Sequence, residues 1–248
     1  MLIAKCDKMD VAHKIFELMP SRNLTSWNVM LDAYMQFGGM ELAYQLFNTM
    51  LVKNAVSWNI MIGEHAKRLG RVKVARELFN TMPYRGMISW NAMISGYKEN
   101  GISKDAIELS VDMHLLGERP DCSTLAIILS AIADLGLFVQ GRYVHGYVDR
   151  NQFPLISVIW CALIDVYSKC GYVDIAMRIF DCIPKKCKDH CNAMISGLAV
   201  HGYGKLAVSL VEDMEPSFVG PDDITFFYVL TACSHAGLAY EGQQHLSL

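Results

Sequence analysis

The sequence predicts an all-α protein, a right-handed α-solenoid of helix-turn-helix repeats, and three observations support this fold class. The four tryptophans recur at one place in a repeating segment, spaced by 31, 32 and 70 residues, at Trp27, Trp58, Trp90 and Trp160. A glycine column recurs with nearly the same period. Apolar residues on both sides of each glycine follow the i, i+3, i+4 spacing of amphipathic helices. A fixed period in the thirties is typical of stacked repeat arrays, in which each unit packs only on its neighbours.

The first helix of each repeat precedes the glycine. Trp27, Met30, Leu31 and Tyr34 form one apolar face of such a helix, and the same spacing recurs at the other tryptophans. A tight turn follows, for which glycine is suited because it adopts a positive φ at little steric cost. The turn column reads Gly38, Gly70, Gly101, Gly136, Gly171, Gly202 and Gly237, with Asp7 departing from it.

The second helix of each repeat follows the turn, with an apolar face such as Ala43, Leu46, Phe47 and Met50. It ends at a proline or a polar turn, since proline restricts the residue before it and cannot continue a helix. A second small residue stands five residues after each turn position, which lets two helices approach closely. This small column reads Ala12, Ala43, Ala75, Ala106, Gly141, Ala176, Ala207 and Gly242.

These signals divide the chain into repeats of 31, 32 or 35 residues, with partial repeats at both ends. The predicted repeats are 1–23 (partial), 24–54, 55–86, 87–121, 122–156, 157–187, 188–222 and 223–248 (partial). Repeat 55–86 has one extra residue near Gly63–Ala66. We expect the whole chain to be repeat array, with no deaminase domain in it.

Composition argues against several function classes. The 248 residues carry a formal net charge of −3, whereas proteins that bind nucleic acid mainly through phosphates are usually strongly basic. No apolar run approaches the length needed to span a bilayer, so we expect no membrane partner. The eight cysteines are scattered over mostly apolar repeat positions, which favours buried reduced thiols over disulfides.

Catalytic and metal-binding patterns are also missing from the sequence. None of the eight histidines begins a His-x-Glu motif, and no Cys-x-x-Cys pair occurs, so the zinc signature of cytidine deaminases is absent. Cys182, Cys187, His190 and Cys191 could each ligate zinc, but their spacing fits no common finger. We therefore expect a protein that is not an enzyme and has no catalytic residue, metal or cofactor.

Several segments resemble a known family. Ser89–Tyr97 (SWNAMISGY) and Ser57–Ile62 (SWNIMI) resemble the first helix of a pentatricopeptide repeat. Ala162–Gly171 and Ala232–Leu238 resemble its long-type and short-type variants. The alternation of 31- and 35-residue repeats resembles the plant PLS subclass, and the resemblance covers essentially the whole chain.

The resemblance implies single-stranded RNA binding with one base per repeat, each base read by a few side chains. It assigns the second residue of each repeat to an apolar sandwich around the base: Thr25, Val56, Ile88, Val158 and Ile224. Valine and isoleucine suit this role. Ser123 and Asp189, at the same position of two other repeats, depart from it.

The resemblance also assigns base reading to the fifth residue together with the last residue of each repeat. An asparagine amide suits this task because it offers both donors and acceptors. The pairs are Asn28 with Asn54, Asn59 with Gly86, Asn91 with Asp121, Ala126 with Ile156, Cys161 with Cys187, and Asn192 with Asp222. In the family, Asn with Asp resembles a uracil reader and Asn with Asn a less selective pyrimidine reader. From repeat 24–54 onward, the expected 5′-to-3′ reading is pyrimidine, weak, U, unread, unread, U.

Structural roles compete with these assignments. An asparagine near a helix start can simply cap the helix or bond to the backbone, but four in-phase copies, two of them paired with aspartate, favour base reading. For the tryptophans we favour core packing, because a base-stacking platform needs exposure and these residues share a face with Met, Ile and Tyr.

The resulting functional hypothesis is an organellar RNA-processing factor that recognises a site in a transcript, such as a C-to-U editing site. Its expected partners are single-stranded RNA and other editing factors, or a deaminase supplied in trans or by a C-terminal region. Location in the mitochondrion or chloroplast follows from the resemblance alone, since no transit peptide is visible. Two alternatives stay open: a helical scaffold for a protein or peptide partner, which the negative charge favours, and a non-functional fragment.

Overall fold

A computed structural model describes residues 2–68, 70–214 and 220–237, with side chains from residue 9 onward except that of Arg68. These residues form α-helices and one π-helical turn, and no strand occurs among them, which confirms the all-α prediction. The chain separates into two compact modules, residues 1–119 and 120–248, each of which is described by itself. Residues 238–248, including the predicted Gly242, lie outside the described part, as does the side chain of Asp7.

Each module is built from helical hairpins. The helices of the N-terminal module are α1 Leu2–Leu18, α2 Leu24–Phe37, α3 Met40–Thr49, α4 Ala55–Gly63, the π-helical turn Glu64–Arg68, α5 Val72–Thr81, α6 Met87–Glu99 and α7 Ser103–Leu115. Those of the C-terminal module are α8 Cys122–Asp134, α9 Phe138–Arg150, α10 Ser157–Lys169, α11 Val173–Asp181, α12 Lys188–Val200, α13 Gly204–Met214 and α14 Asp223–His235.

The helices stack in the manner of an α-solenoid. Within the N-terminal module α2 packs on α4 and α4 on α6, and each of these first helices also packs on the second helix of its own repeat. In the C-terminal module the corresponding row of first helices is α8, α10, α12 and α14. Within each module, consecutive first helices therefore lie side by side, and they carry the residues to which the resemblance assigns RNA recognition.

The turn between the two helices of a repeat is formed by glycine, as predicted. All seven glycines of the turn column have φ between 60° and 87°, a region that residues with a Cβ rarely adopt. At Gly38 the backbone N–H donates to the carbonyl of Tyr34 and so closes the end of α2. The glycine column thus ends each first helix in a fixed direction.

The small column lies where helices touch. Ala43, Ala75, Ala106, Ala176 and Ala207 have no solvent-exposed surface. Where the column has Gly141, an added Cβ would lie 2.9 Å from Cγ2 of Val166 on the neighbouring first helix. The predicted close approach is therefore present in both modules.

The extra residue predicted near Gly63–Ala66 is accommodated by the π-helical turn. A π-turn takes up one added residue without breaking the helix, because its hydrogen bonds span one residue more than those of an α-helix. The turn packs tightly on α6, since a Cβ on Gly96 would come within 2.3 Å of the Cβ of Ala66. The amide of Asn100 donates to the carbonyl of Ala66 at 2.6 Å, which anchors the widened turn to the next repeat.

The tryptophans form part of the core. Each of the first three meets a phenylalanine of the preceding repeat edge-on, with ring centroids 4.9–5.1 Å apart, in the pairs Phe16–Trp27, Phe47–Trp58 and Phe79–Trp90. Such edge-to-face pairs stabilise a core beyond the area that they bury. The Trp90 side chain is almost completely buried, so core packing is confirmed for this residue, while Trp27, Trp58 and Trp160 are partly buried.

Candidate functional site

The last residue of each predicted repeat stands at the N-cap position of the next first helix, and where it is Asn or Asp its side chain caps that helix. Asn54 is the N-cap of α4, where its Oδ1 accepts the backbone N–H of Ser57 at 3.1 Å. Asp121 and Asp222 cap α8 and α14 in the same way. The capping alternative that the sequence suggested for the fifth residue therefore applies to the last residue instead, and capping keeps that side chain at a helix N-terminus.

The predicted pair Asn28 and Asn54 lies in direct contact. Nδ2 of Asn28, on α2, donates to Oδ1 of Asn54 at 3.2 Å. The hydroxyl of Ser57 lies 2.6 Å from Oδ1 of Asn28 and 3.0 Å from Oδ1 of Asn54, so its proton is shared between two oxygens. The fifth residue of one repeat, its last residue and the third residue of the next repeat thus form one polar network.

The same network recurs in the C-terminal module. Nδ2 of Asn192 donates to Oδ1 of Asp222 at 3.4 Å, and Oγ1 of Thr225 lies 2.7 Å from Oδ1 of Asn192 and 2.9 Å from Oδ1 of Asp222. The backbone N–H of Thr225, followed by its hydroxyl, the Asn192 amide and the Lys188 ammonium at 3.6 Å, lowers the pKa of Asp222. The pair is therefore a carboxylate and a carboxamide held in a fixed relation.

Hydrogen-bond counting shows what the two asparagines can still do. A carboxamide has two N–H donors and two acceptor lone pairs. In Asn28 and Asn192 the network uses one of each, which leaves one donor and one acceptor for a ligand. Both residues are about nine-tenths buried, with 8% and 9% of their surface exposed, so a ligand would reach only the edge of the amide. A donor beside an acceptor on such an edge matches the edge of a nucleobase.

The next pair, Asn59 and Gly86, does not form this network. Gly86 is the N-cap of α6 and has no side chain that could accept a hydrogen bond. Oδ1 of Asn59 and the hydroxyl of Ser89 are both buried without a hydrogen-bond partner within the protein. This site has its fifth and third residues in place, but its last residue has no side chain. The weak reading of this pair stays a prediction.

Cysteines replace the polar pair at Cys161 and Cys187. His190 stands at the third position of the next repeat, where its Nδ1 accepts the backbone N–H of Cys187 at 3.1 Å and its Nε2 lies 3.0 Å from the hydroxyl of Ser157. Burial raises the pKa of Cys161 to about 11, so its thiol is protonated at neutral pH. A neutral thiol is a weak hydrogen-bonding group, and the unread base assigned to this repeat stays a prediction.

The pair Ala126 and Ile156 offers no polar side chain, and Ala126 is buried. Asn91 and Asp121 belong to different modules, so each is described alone. Asn91 lies partly buried on α6, and Asp121 accepts the backbone N–H of Thr124 at 2.7 Å. Joint base reading by Asn91 and Asp121 stays a prediction.

The second residues of the repeats are exposed. The β-branched side chains of Val56, Ile88, Val158 and Ile224 have 45–72% of their surface open to solvent, and Thr25 is exposed as well. Ser123 and Asp189, which depart from the apolar pattern, are exposed at the same position. Apolar side chains at regular intervals beside buried amides form a surface that a flat ring could contact from both sides.

In the C-terminal module these positions line one groove of about 430 Å³. Its lining follows the repeat, with second residues Val158, Asp189 and Ile224, fifth residues Ala126, Cys161 and Asn192, sixth residues Ala162, Ala193 and Tyr228, and ninth residues Ser130, Asp165 and Ser196. The positions predicted to sandwich and to read bases are thus open to the same space. Two carboxylates in this lining make the groove unlike a phosphate-binding channel.

Two further properties concern the chain outside this network. Among the residues with described side chains, no group of three or more His, Cys, Asp or Glu is arranged to hold a metal ion. In the described part of the chain, no helix is both long enough and apolar enough to cross a membrane.

The third residues Ser57, Thr124 and Thr225 were missed by reasoning from the sequence. All three have no exposed surface. A signal for them exists in the sequence, since Asn or Asp followed by Ser or Thr three residues later resembles a capping box. The same spacing identifies Asn23, whose Oδ1 accepts the backbone N–H of Ser26 at 2.9 Å.

Comparison with known proteins places the chain in one family. The model of the PPR repeat matches residues 25–54, 56–87, 88–117, 158–187 and 189–215, which is more than half of the chain. The pentatricopeptide repeat-containing protein At2g45350, chloroplastic, of Arabidopsis thaliana is 46% identical over 147 residues, which cover 58% of this chain and 24% of that protein. The pentatricopeptide repeat-containing protein At1g11290, chloroplastic, of the same plant is 30% identical, covering 97% of this chain and 34% of that protein. The chain therefore spans about a quarter to a third of the length of these relatives.

Solved structures share the fold. The crystal structure of the pentatricopeptide repeat protein PPR10 from maize matches with a TM-score of 0.68 at 18% identity, covering 95% of this chain and 35% of PPR10. The crystal structure of PPR10 in complex with an 18-nt psaJ RNA element matches with a TM-score of 0.64 at 17% identity, covering 92% of this chain and 38% of that one. At this identity the likeness establishes the α-solenoid fold.

Proposed function

Because this chain belongs to the pentatricopeptide repeat family, we propose that it binds single-stranded RNA on the first helices of its repeats. The observation that carries the proposal is the polar network made by Asn28 with Asn54 and by Asn192 with Asp222. In both places a buried amide keeps one donor and one acceptor for a ligand. PPR10, a protein of the same fold, has been crystallised with an 18-nt RNA element, which supports this choice of ligand.

In this proposal each base lies between the exposed second residues of adjacent repeats and meets the fifth residue with its edge. Asn192 with Asp222 reads uracil, and Asn28 with Asn54 reads a pyrimidine with less selectivity. Asn91 and Asp121 are assigned to uracil on the resemblance alone. Asn59, without a polar partner at Gly86, reads weakly. The repeats that contain Ala126 and Cys161 do not discriminate among bases, because they lack a pair of polar side chains at the reading positions.

Charge indicates that bases contribute more to binding than phosphates do. The chain has a net charge of −3, and Asp165 and Asp189 line the groove of the C-terminal module. Affinity that depends on phosphate contacts falls steeply with salt, because each contact releases counterions. We therefore expect a shallow salt dependence.

We propose further that the chain serves in the recognition of sites in organellar transcripts, such as C-to-U editing sites, and belongs to the PLS subclass. The alternation of 31- and 35-residue repeats supports the subclass. The chloroplastic names of At2g45350 and At1g11290 support an organelle, with the mitochondrion as the second candidate. The partner that follows from this role is an editing factor or a deaminase, supplied in trans or by another region of the full protein.

A binding assay with six-nucleotide RNAs tests the function. The reference RNA carries a pyrimidine, any base, U, any base, any base and U from 5′ to 3′, and the sixth base is varied. We expect wild-type protein to prefer U there by about 1–3 kcal/mol, the range of good bidentate base contacts, and to bind this RNA better than the same DNA strand or duplex RNA. Asn192→Ala should abolish the preference for U.

The matched control is Asn80→Ala, because Asn80 is an exposed asparagine on the second helix α5, outside the row of first helices. It should keep both the affinity and the preference of wild type. Equal binding of single-stranded RNA, duplex RNA and DNA would contradict the proposed function. RNA binding without any effect of Asn192→Ala on base preference would contradict the assignment of the reader.

A further inference from the structure

We infer that the third residue of a repeat, Ser57 or Thr225, is a positioning residue that orients the reading amide of the preceding repeat and thereby sets its choice between uracil and cytosine. This inference rests on the proposed RNA-binding function. The third residue does not contact the base in this arrangement. It acts through the amide of Asn28 or Asn192.

Position and burial support this role. Ser57 and Thr225 have no exposed surface, so neither hydroxyl can turn to water. Their shortest contacts are to the amide oxygens of Asn28 at 2.6 Å and Asn192 at 2.7 Å. The contact between Asn192 and Asp222 is longer, at 3.4 Å, so the hydroxyl of Thr225 makes the tighter contact with this amide.

The helix N-terminus determines the polarity of the whole network. The backbone N–H of Thr225 donates to Oδ1 of Asp222 at 2.9 Å, which makes that oxygen a fixed acceptor facing Asn192. Nδ2 of Asn192 must therefore face Asp222, and Oδ1 of Asn192 faces the hydroxyl. Turning the amide over would place two acceptor oxygens against each other and would leave buried groups unpaired.

The orientation of the amide matters because the two pyrimidines differ in the order of their donors and acceptors. Uracil presents an N–H donor between two carbonyl acceptors, whereas cytosine presents an amino donor, a ring nitrogen acceptor and a carbonyl. With the base held in one position by the second residues, the amide in one orientation pairs with the 4-carbonyl and N3–H of uracil, and in the opposite orientation with the 4-amino group and N3 of cytosine. Without the hydroxyl, only the longer 3.4 Å contact to Asp222 holds the amide of Asn192 in this orientation, so its ability to distinguish U from C weakens.

Repeat 87–121 provides a case in which the hydroxyl of the third residue does not orient an amide. Ser89 occupies the third position and is 1% exposed, but its hydroxyl has no partner within the protein and neither does Oδ1 of Asn59. Gly86 supplies no acceptor in this place. The third-residue hydroxyl orients an amide only where the last residue is Asn or Asp, which makes Ser89 a matched control.

The test measures the ratio of dissociation constants for RNAs that carry C or U at the nucleotide facing Asn192, using the full 248-residue chain. Thr225→Val keeps the shape of the side chain and removes the hydroxyl. We expect this variant to reduce the preference for U over C roughly 3- to 10-fold, the effect of one hydrogen bond. Thr225→Ser restores the hydroxyl and should return the ratio to within about twofold of wild type.

Ser57→Ala provides the second test at the nucleotide facing Asn28, and Ser89→Ala should leave every ratio unchanged. Circular dichroism identifies folded variants, and Thr225→Ala, a smaller variant without the hydroxyl, decides the question if Thr225→Val does not fold. An unchanged ratio in a folded hydroxyl-free variant, with wild type selective for U over C, overturns this inference alone. A wild-type chain with no base preference at these nucleotides overturns the proposed base reading and this inference together.

Discussion

Two neighbouring sites of the N-terminal module differ in one side chain and in their whole hydrogen-bond pattern. Both have asparagine at the fifth position, Asn28 or Asn59, and serine at the third position of the next repeat. The first has Asn54 as its last residue, and its polar groups are joined in one network. The second has Gly86, and two buried polar atoms have no partner within the protein. The capping residue therefore organises the site, and the fifth residue alone does not.

The start of the following helix is the same at both sites. Glycine is an acceptable N-cap, only a few tenths of a kcal/mol worse than asparagine, so α6 begins after Gly86 as α4 begins after Asn54. The glycine instead leaves buried polar groups without partners. Each unpaired donor or acceptor destabilises the folded state by about 1–3 kcal/mol. Exchanging the two capping residues tests whether they account for the difference between the two sites.

The largest effect is expected when the complete site is broken. Asn54→Gly removes the acceptor for the Ser57 backbone N–H and for Nδ2 of Asn28. We expect the free energy of unfolding to fall by about 1–2 kcal/mol, measured by urea denaturation followed by circular dichroism. Asn54→Asp keeps the acceptor and is the control, for which we expect a much smaller change. A loss as small as that of the control would show that the network adds nothing to the cap.

A smaller effect of opposite sign is expected when the incomplete site is repaired. Gly86 has φ −92° and ψ 176°, which any residue adopts, and an added Cβ would lie at an ordinary 3.7 Å from the ring of Tyr84. Gly86→Asn should therefore supply the missing partner and raise the free energy of unfolding by about 1 kcal/mol.

Gly86→Ala is the matched control for this repair, because it adds a Cβ without an acceptor. Stabilisation by alanine as large as that by asparagine would mean that the gain comes from reduced backbone freedom. Under the proposed function, Gly86→Asn should also create a pyrimidine preference at the base facing Asn59, which the binding assay can measure separately.

The smallest effect is expected from the charge of Asp222, which replaces the carboxamide of Asn54 in the second network. Its pKa is lowered from 3.8, chiefly by the backbone N–H of Thr225. A lowered pKa in the folded state means that the stabilising contribution is complete above pH 3.8 and is lost as the pH falls through the folded-state pKa.

The measurement is the difference in urea midpoint between wild type and Asp222→Asn, followed from about pH 5 downward. The difference should shrink on acidification, since the asparagine cap does not titrate. A difference that stays constant over this range would show that the carboxylate contributes nothing through its charge.

Much of the fold could be predicted from the sequence because its determinants are local and repeated. Glycine at Gly38 and Gly171 indicates a positive φ whatever the neighbours are, and the apolar spacing around Trp90 indicates which face is buried. The added residue near Gly63–Ala66 was also visible from spacing. Its form, a π-helical turn packed on Gly96 and held by Asn100, depends on the next repeat and could not be read from the segment itself.

The candidate site was predicted only in part. The fifth and last residues, such as Asn192 and Asp222, were named from the family resemblance, and they meet in space. The third residue, such as Thr225, was not, because a serine or threonine at a helix start has an ordinary local explanation. Its second contact crosses from one repeat to the preceding one, and nothing in the local pattern specifies that crossing.

The repeat, its turns, its buried face and the chemical types available at each position can be read from the sequence, because they depend on short-range sterics and on hydrophobic periodicity. The pairing of the polar groups depends on contacts between repeats and is visible in the structure alone. Whether the amide of Asn28 or Asn59 is satisfied depends on a side chain 26 or 27 residues away, and on how closely adjacent first helices pack. The two sites have the same residues at the fifth and third positions, yet only the first is complete, because Asn54 supplies an acceptor across the repeat boundary and Gly86 does not.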